Sequence, residues 1–155
     1  MENEAFISAV VGMTDTLYRV AATQLRQRAD QEDAVQESLR RAWEKRHRLR
    51  EERYVRTWII RILLNECHRI QRRAARTLPV ENVTLPHGDD PRRLRDALLR
   101  LEERYRTPIV LHHVEGYAVE EVADMLRIPQ GTVKSRLARG RKALRAILDE
   151  EVFGE

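Results

Sequence analysis

The chain has 155 residues, of which 42% are hydrophobic, 35% charged and 5% aromatic, with a formal net charge of +4; that is enough for one ordinary domain or two small ones, and any single core is modest. Its longest apolar stretch, Trp58 to Leu64, is broken by Arg61 and falls far short of the roughly 20 residues of a membrane span, so no membrane insertion is expected. Two glutamates stand where a secretory signal carries basic residues, which points to the cytoplasm, and the single cysteine, Cys67, excludes an internal disulfide, while no Cys/His cluster has zinc spacing.

In chain order, Phe6, Val10, Met13, Leu17, Val20, Ala21 and Leu25 recur at three and four residues, the period of one helix face. A break is predicted at Arg28 to Asp30. Asp30 is the expected N-cap, with Glu32 and Asp33 in the first turn and Val35, Leu39, Ala42 and Trp43 as the next apolar stripe. The charged stretch Lys45 to Tyr54 separates a third helix, where Val55, Trp58, Ile59, Ile62, Leu63 and Ile70 share a face that Ile60 and Leu64 widen. A stripe that broad predicts packing on more than one side. Trp43 and Trp58 lie on these stripes and read as core, and Cys67 reads as a buried small hydrophobe.

Thr77 to Pro91 holds three of the five prolines and no helical periodicity, so it reads as a linker. Fifteen residues at up to about 3.3 Å each reach roughly 50 Å, comparable with about 15 base pairs of duplex. Beyond it, Leu94, Leu98 and Leu101 mark a helix, followed by an apolar segment from Ile109 to Val114 and a turn at Glu115-Gly116. The expected fold is all-α: two small helical domains, residues 1–76 and 92–155, joined by a flexible linker at 77–91.

The charge is uneven. Arginine outnumbers lysine 26 to 3, residues 40–76 hold 13 basic and 4 acidic residues, and residues 127–145 hold 7 basic and none acidic. Either these are ordinary solvated helix faces or they are two phosphate-facing surfaces.

The second segment decides between them. A helix from about Val119 to Leu126 is predicted to bury Val122, Ala123 and Leu126; Arg127-Ile128-Pro129 ends it, and another helix begins near Gln130 to Thr132. This is a helix-turn-helix. At 100° per residue, Val133, Leu137, Gly140 and Leu144 gather on the buried side. Ser135, Ala138, Arg139 and Lys142 face away, flanked by Lys134 and Arg145. Cations, a hydroxyl and a small residue suit the major groove, where arginine bridges guanine O6 and N7 and lysine and serine hold phosphates. Arg136, nearer the buried side, is expected to reach a phosphate or a carboxylate.

The run IPQGTVKSRLARGRKAL closely resembles the recognition helix of the sigma-70 family's C-terminal DNA-binding domain, in the extracytoplasmic-function (ECF) group. DQEDAVQESLRRAW, Asp30 to Trp43, resembles that group's polymerase-binding helix, and RTWIIRILLNECHRIQRR, Arg56 to Arg73, its promoter-opening helix. The resemblance implies an ECF-type sigma factor that binds core RNA polymerase and directs promoter-specific transcription initiation. Asp33, Gln36, Glu37 and Arg40 would meet the polymerase. Arg46, Arg48, Arg53, Arg61, Asn65, His68, Arg69 and Arg72 would capture the single-stranded minus-10 element, since a strand opener needs base pockets and a basic groove; Thr132, Lys134, Ser135, Arg136, Arg139 and Lys142 would hold the duplex minus-35 element. The resemblance also implies an anti-sigma partner.

One departure is that Glu102 follows Leu101 where the family usually has proline, which is expected to lengthen that helix. His112-His113 carries no expectation of metal or acid/base chemistry, because helical neighbours point 100° apart and no third ligand is placed. No catalytic residue, cofactor or enzymatic activity is expected. A stand-alone helix-turn-helix regulator is the alternative; it would need a dimer interface to match paired half-sites.

Overall fold

The computed structural model describes residues 2–74 and 91–153. Apart from Pro91, the expected linker lies outside the described residues. Seven α-helices follow in order: α1 Asn3–Gln24, α2 Arg28–Glu44, α3 Val55–Ala74, α4 Pro91–Arg100, α5 Glu103–Ile109, α6 Val119–Leu126 and α7 Gln130–Phe153. Single 3-10 turns at Arg46–Arg48 and Glu52–Tyr54 join α2 to α3, and a π-turn at Val110–Val114 extends α5. The described residues contain no strand. The helices form two compact units, one built on α1 to α3, the other mainly on α4 to α7.

In the first unit α3 packs against both α1 and α2, which accounts for its wide apolar face: Ile59, Ile60, Leu63, Leu64 and Cys67 are all buried. The start of α2 differs from expectation. It begins at Arg28 after Gln27, which makes no side-chain cap bond; instead the Gln31 amide donates to the Leu25 carbonyl at 2.9 Å. Asp30 therefore lies inside the first turn, where its charge still favours the helix dipole. Trp43 is less buried than its stripe suggested, at 39% exposure. One side of its ring meets Phe6, with centroids 5.8 Å apart, and the Arg46 guanidinium lies over it at 3.7 Å.

A buried carboxylate ties α2 to α3. Glu66, on the helix's otherwise apolar side, has a side chain 4% exposed and pairs with Arg41 of α2 and Arg69 of α3, each at 2.9 Å. Arg41 also reaches Glu37 at 3.0 Å, so the network runs from the core to the surface of α2. Removing one member of a buried pair strands the others. The arginines are near two-fifths exposed, which lets water screen what remains and reduces the cost.

In the second unit α5 packs against α7, with α4 against both. Leu98 and Leu101 are buried, but Leu94 is 44% exposed and does not join them. The proline missing after Leu101 does not lengthen α4. Glu102 adopts φ −57°, ψ 139° and starts a new helix at Glu103, because extended backbone at that residue suffices to turn the chain. Met125 is buried on α6 where Leu126 was expected, Leu126 being half-buried. The close approach of α5 to α7 depends on Gly140: a Cβ there would lie 2.6 Å from Ile109 Cδ1 and 3.2 Å from Tyr105 Cβ.

Three outcomes are expected. Glu66→Ala should lower the stability of the first unit by about 1 to 3 kcal/mol in urea unfolding. Gly140→Ala should destabilise the second unit by about 1 kcal/mol, overpacking outweighing the gain in helix propensity. Its cost should shrink in an Ile109→Val background, which removes Cδ1, and equal costs in both backgrounds would refute the steric account. Hydrogen bonds from Arg40 and then Arg41 lower Glu37 from 4.5 to about 2. A carboxylate depressed by folding contributes stability above its unfolded pKa, and that contribution is lost as pH falls through the folded value. Circular dichroism should therefore show Glu37→Gln losing less stability than the parent between pH 4.5 and 2.

Candidate nucleic-acid and polymerase surfaces

The helix-turn-helix forms as its residues dictate. The Glu121 carboxylate accepts the Ala118 backbone N–H at 3.0 Å, closing the start of α6, while Ala118 has no side-chain oxygen to reciprocate. At the other end Arg127 takes φ 56°, ψ 46°, the left-handed conformation of a helix C-terminus, and the Ile128 N–H donates to the Ala123 carbonyl at 3.1 Å. Pro129 then accepts from the Thr132 and Val133 N–H groups at 3.0 and 3.1 Å, so α7 starts within three residues of that turn.

Along α7, Val133, Leu137 and Gly140 are buried, whereas Lys134, Ser135, Arg139 and Lys142 are exposed and Thr132 and Arg136 half-buried. Thr132, Ser135, Arg136 and Arg139 line one cleft together with Arg104 and Tyr105 of α5. The two α5 residues were missed by sequence reasoning, since nothing in the periodicity of α5 shows which side meets the start of α7. Lys134 and Lys142 lie outside that cleft.

The histidines serve the turn ahead of α6. Nδ1–H of His112 donates to the Tyr117 carbonyl at 2.7 Å, and Nε2 of His113 accepts from Arg141 at 3.2 Å. Burial, then the neighbouring His112 and Arg141 charges, push the His113 pKa down, consistent with a neutral acceptor. Among the described residues no group of three or more His, Cys, Asp or Glu side chains could hold a metal ion.

In the first unit, Arg61, Asn65, His68 and Arg72 recur at four, three and four residues and share a face of α3, with Asn65 and Arg72 exposed and Arg61 and His68 half-buried. Arg69 lies off that face, held by Glu66. The loop residues differ in availability. Arg48 is exposed, whereas Arg46 stacks on Trp43, donates to the Asn3 side-chain oxygen at 2.9 Å and to the Trp43 carbonyl at 2.7 Å. Arg53 pairs with Glu51 at 2.6 Å and lies over the Tyr54 ring.

On α2, Asp33, Gln36 and Arg40 are exposed and Glu37 half-buried. Arg40 bridges Glu37 and Glu44, each at 2.5 Å, so this face presents a row of paired charges beside the exposed Asp33 carboxylate and Gln36 amide. None of the described helices is long and apolar enough to cross a membrane.

The family model for sigma-70 region 2 matches residues 13–77 and that for sigma-70 region 4 matches residues 92–144. The chain is 34% identical to the ECF RNA polymerase sigma factor SigM of Mycobacterium tuberculosis, over 85% of this chain and 71% of that protein. It is 29% identical to SigW of Bacillus subtilis, over 93% and 89% of the two chains. Among solved structures it is similar to the sigma factor RpoE of Bartonella quintana in complex with the anti-sigma factor NepR, with TM-score 0.83, 25% identity and coverage of 93% of this chain and 96% of that one. It is also similar to CnrH in complex with the cytosolic domain of CnrY, with TM-score 0.78, 28% identity and coverage of 96% and 90%. A helix-turn-helix with an exposed basic face and a second helical unit, each matched by its own region model in the family's order, place the chain in the sigma-70 family, as an RNA polymerase sigma factor of the extracytoplasmic-function group.

Proposed function

We propose a division of labour in which residues 1–76 bind core RNA polymerase and open the minus-10 element, residues 77–91 tether, and residues 92–155 read the minus-35 element. The observation that carries it is the exposed face of α7, basic from Lys134 to Arg145 and presented by a three-residue turn, in a chain that also matches region 2. Arg139, Ser135 and Lys134 suit a major groove and its phosphates, and Thr132, Arg136 and Lys142 extend that contact along the backbone.

On α3, an amide and cations on one face, Arg61, Asn65, His68 and Arg72, suit an unstacked base and its backbone. Arg48 adds an available cation. Arg46, Arg53 and Arg69 would exchange existing partners for phosphate, which moderates what each contributes. The α2 face of Asp33, Gln36, Glu37 and Arg40 is the polymerase surface: an interface that trades internal ion pairs for intermolecular ones gains specificity more than affinity. The similar RpoE structure carries the anti-sigma factor NepR, and the same class of partner fits this chain, which would act in the cytoplasm as an initiation factor without catalysis of its own. No observation favours the stand-alone regulator.

Run-off transcription with purified core polymerase and a promoter of the chain's own regulon tests this. Asn65→Ala should reduce open-complex formation and Arg139→Ala promoter affinity, each by about tenfold. Unimpaired initiation by both variants would defeat the assignment of these surfaces.

A further inference from the structure

The cleft between α5 and the start of α7 is lined by cations from both helices. It is an open cleft of about 350 Å³, lined by Arg104, Tyr105, Gly131, Thr132, Ser135, Arg136 and Arg139. None of the lining residues is acidic. Three arginines and three hydroxyl-bearing residues line it, and the wall at Gly131 is open, since a Cβ added at that residue would meet nothing within 4 Å.

Two features separate this cleft from a solvated basic surface. Arg136 and Arg139 make no ion pair among the described residues, and no acidic residue occurs between Arg127 and Arg145 to supply one at helical spacing. Arg104 comes from a different helix. It is held in position over the Tyr105 ring, 4.8 Å from its centroid, and by Glu102 at 2.9 Å. Both members of that ion pair are well over half exposed, so the pair is weak and readily exchanged for a stronger anion. Arginine forks with hydroxyl donors form a phosphate-holding set, and a bidentate guanidinium contact fixes orientation as well as affinity. Because α5 and α7 are locked together at Gly140, a phosphate held from both helices fixes the angle at which α7 enters the groove.

We infer that Arg104 and Tyr105 of α5, with Thr132 and Arg136 of α7, clamp one phosphodiester of the promoter duplex next to the minus-35 bases. The clamp carries no base information; it sets the register in which α7 reads. The inference rests on the reading of α7 as the minus-35 helix and adds α5 to the DNA-binding surface.

The test uses holoenzyme reconstituted from the full chain and core polymerase, with promoter duplexes in which one phosphodiester at a time across the minus-35 region is replaced by an uncharged methylphosphonate. At one linkage the replacement should weaken binding of the unaltered protein about five- to tenfold, yet leave Arg104→Ala unaffected. Arg104→Ala should also weaken binding to promoters of differing minus-35 sequence by a similar factor and lower the slope of log affinity against log salt by about 0.9, the value for one phosphate contact. Arg104→Lys, which keeps the charge but loses the fork, should recover part of the affinity and the salt slope. Equal responses of Arg104→Ala and the unaltered protein at every linkage would overturn the clamp. Arg139→Ala separates the two claims. If it weakens promoter binding while the methylphosphonate responses are equal, only the clamp fails, and if it has no effect, the reading of α7 fails and takes the clamp with it.

Discussion

A helix of seven or eight residues has little stability of its own in water, because the cost of nucleating the first turn is not recovered over so short a length. α5 and α6 have that length, so they exist by burying one face, and everything the second unit offers to a partner follows from that. α5 gains its burial against α7, and the approach is possible because position 140 carries no side chain. Once Val133, Leu137 and Gly140 are committed inward, the opposite face of α7 has to be polar. Its position relative to α5 is set by the same contact, so the helix that faces solvent is also held at a fixed angle by its neighbour.

The first unit meets the same demand with longer helices and a different device. α3 is apolar on a face wide enough to touch α1 and α2, yet places Glu66 within that region. A buried carboxylate is tolerated where guanidiniums satisfy it, and the arrangement gives α2 and α3 a directional contact that apolar packing lacks. The chain of pairs from Glu66 through Arg41 and Glu37 to Arg40 then reaches the α2 face assigned to the polymerase. That face and the fold's interior share residues, so a substitution at Glu37 or Arg41 perturbs both.

Arginine-rich composition is therefore not one property but two. In the first unit many of the cations have internal partners: Arg41 and Arg69 with Glu66, Arg46 with Trp43 and Asn3, Arg53 with Glu51. From Arg127 to Arg145 the chain contains no carboxylate, so the ordinary pairing at three or four residues is impossible for Lys134, Arg136, Arg139 and Lys142 of α7. Lys134, Arg136, Arg139 and Lys142 stay available, and binding an anion there requires no exchange of an existing ion pair.

Periodicity carried most of the fold, because a helix that buries one face must repeat its apolar residues near every 3.6 positions; the helix-turn-helix, α3 and the inward side of α7 were legible in this way, and the family resemblance supplied their roles. Local signals failed where a tertiary contact replaced them. α2 starts at Arg28 instead of Asp30 because Gln31 reaches back to Leu25, α4 stops at Arg100 without a proline, and Trp43 is half exposed under Arg46. The amino-acid sequence by itself determined which segments are helical, which faces are apolar and where cations lack acidic neighbours, since these depend on spacing along one chain. Only the tertiary structure decided that Glu66 is a buried hub, that Gly140 sets the α5–α7 distance and that Arg104 and Tyr105 share a cleft with α7, because each depends on which residues of separate helices come to lie side by side.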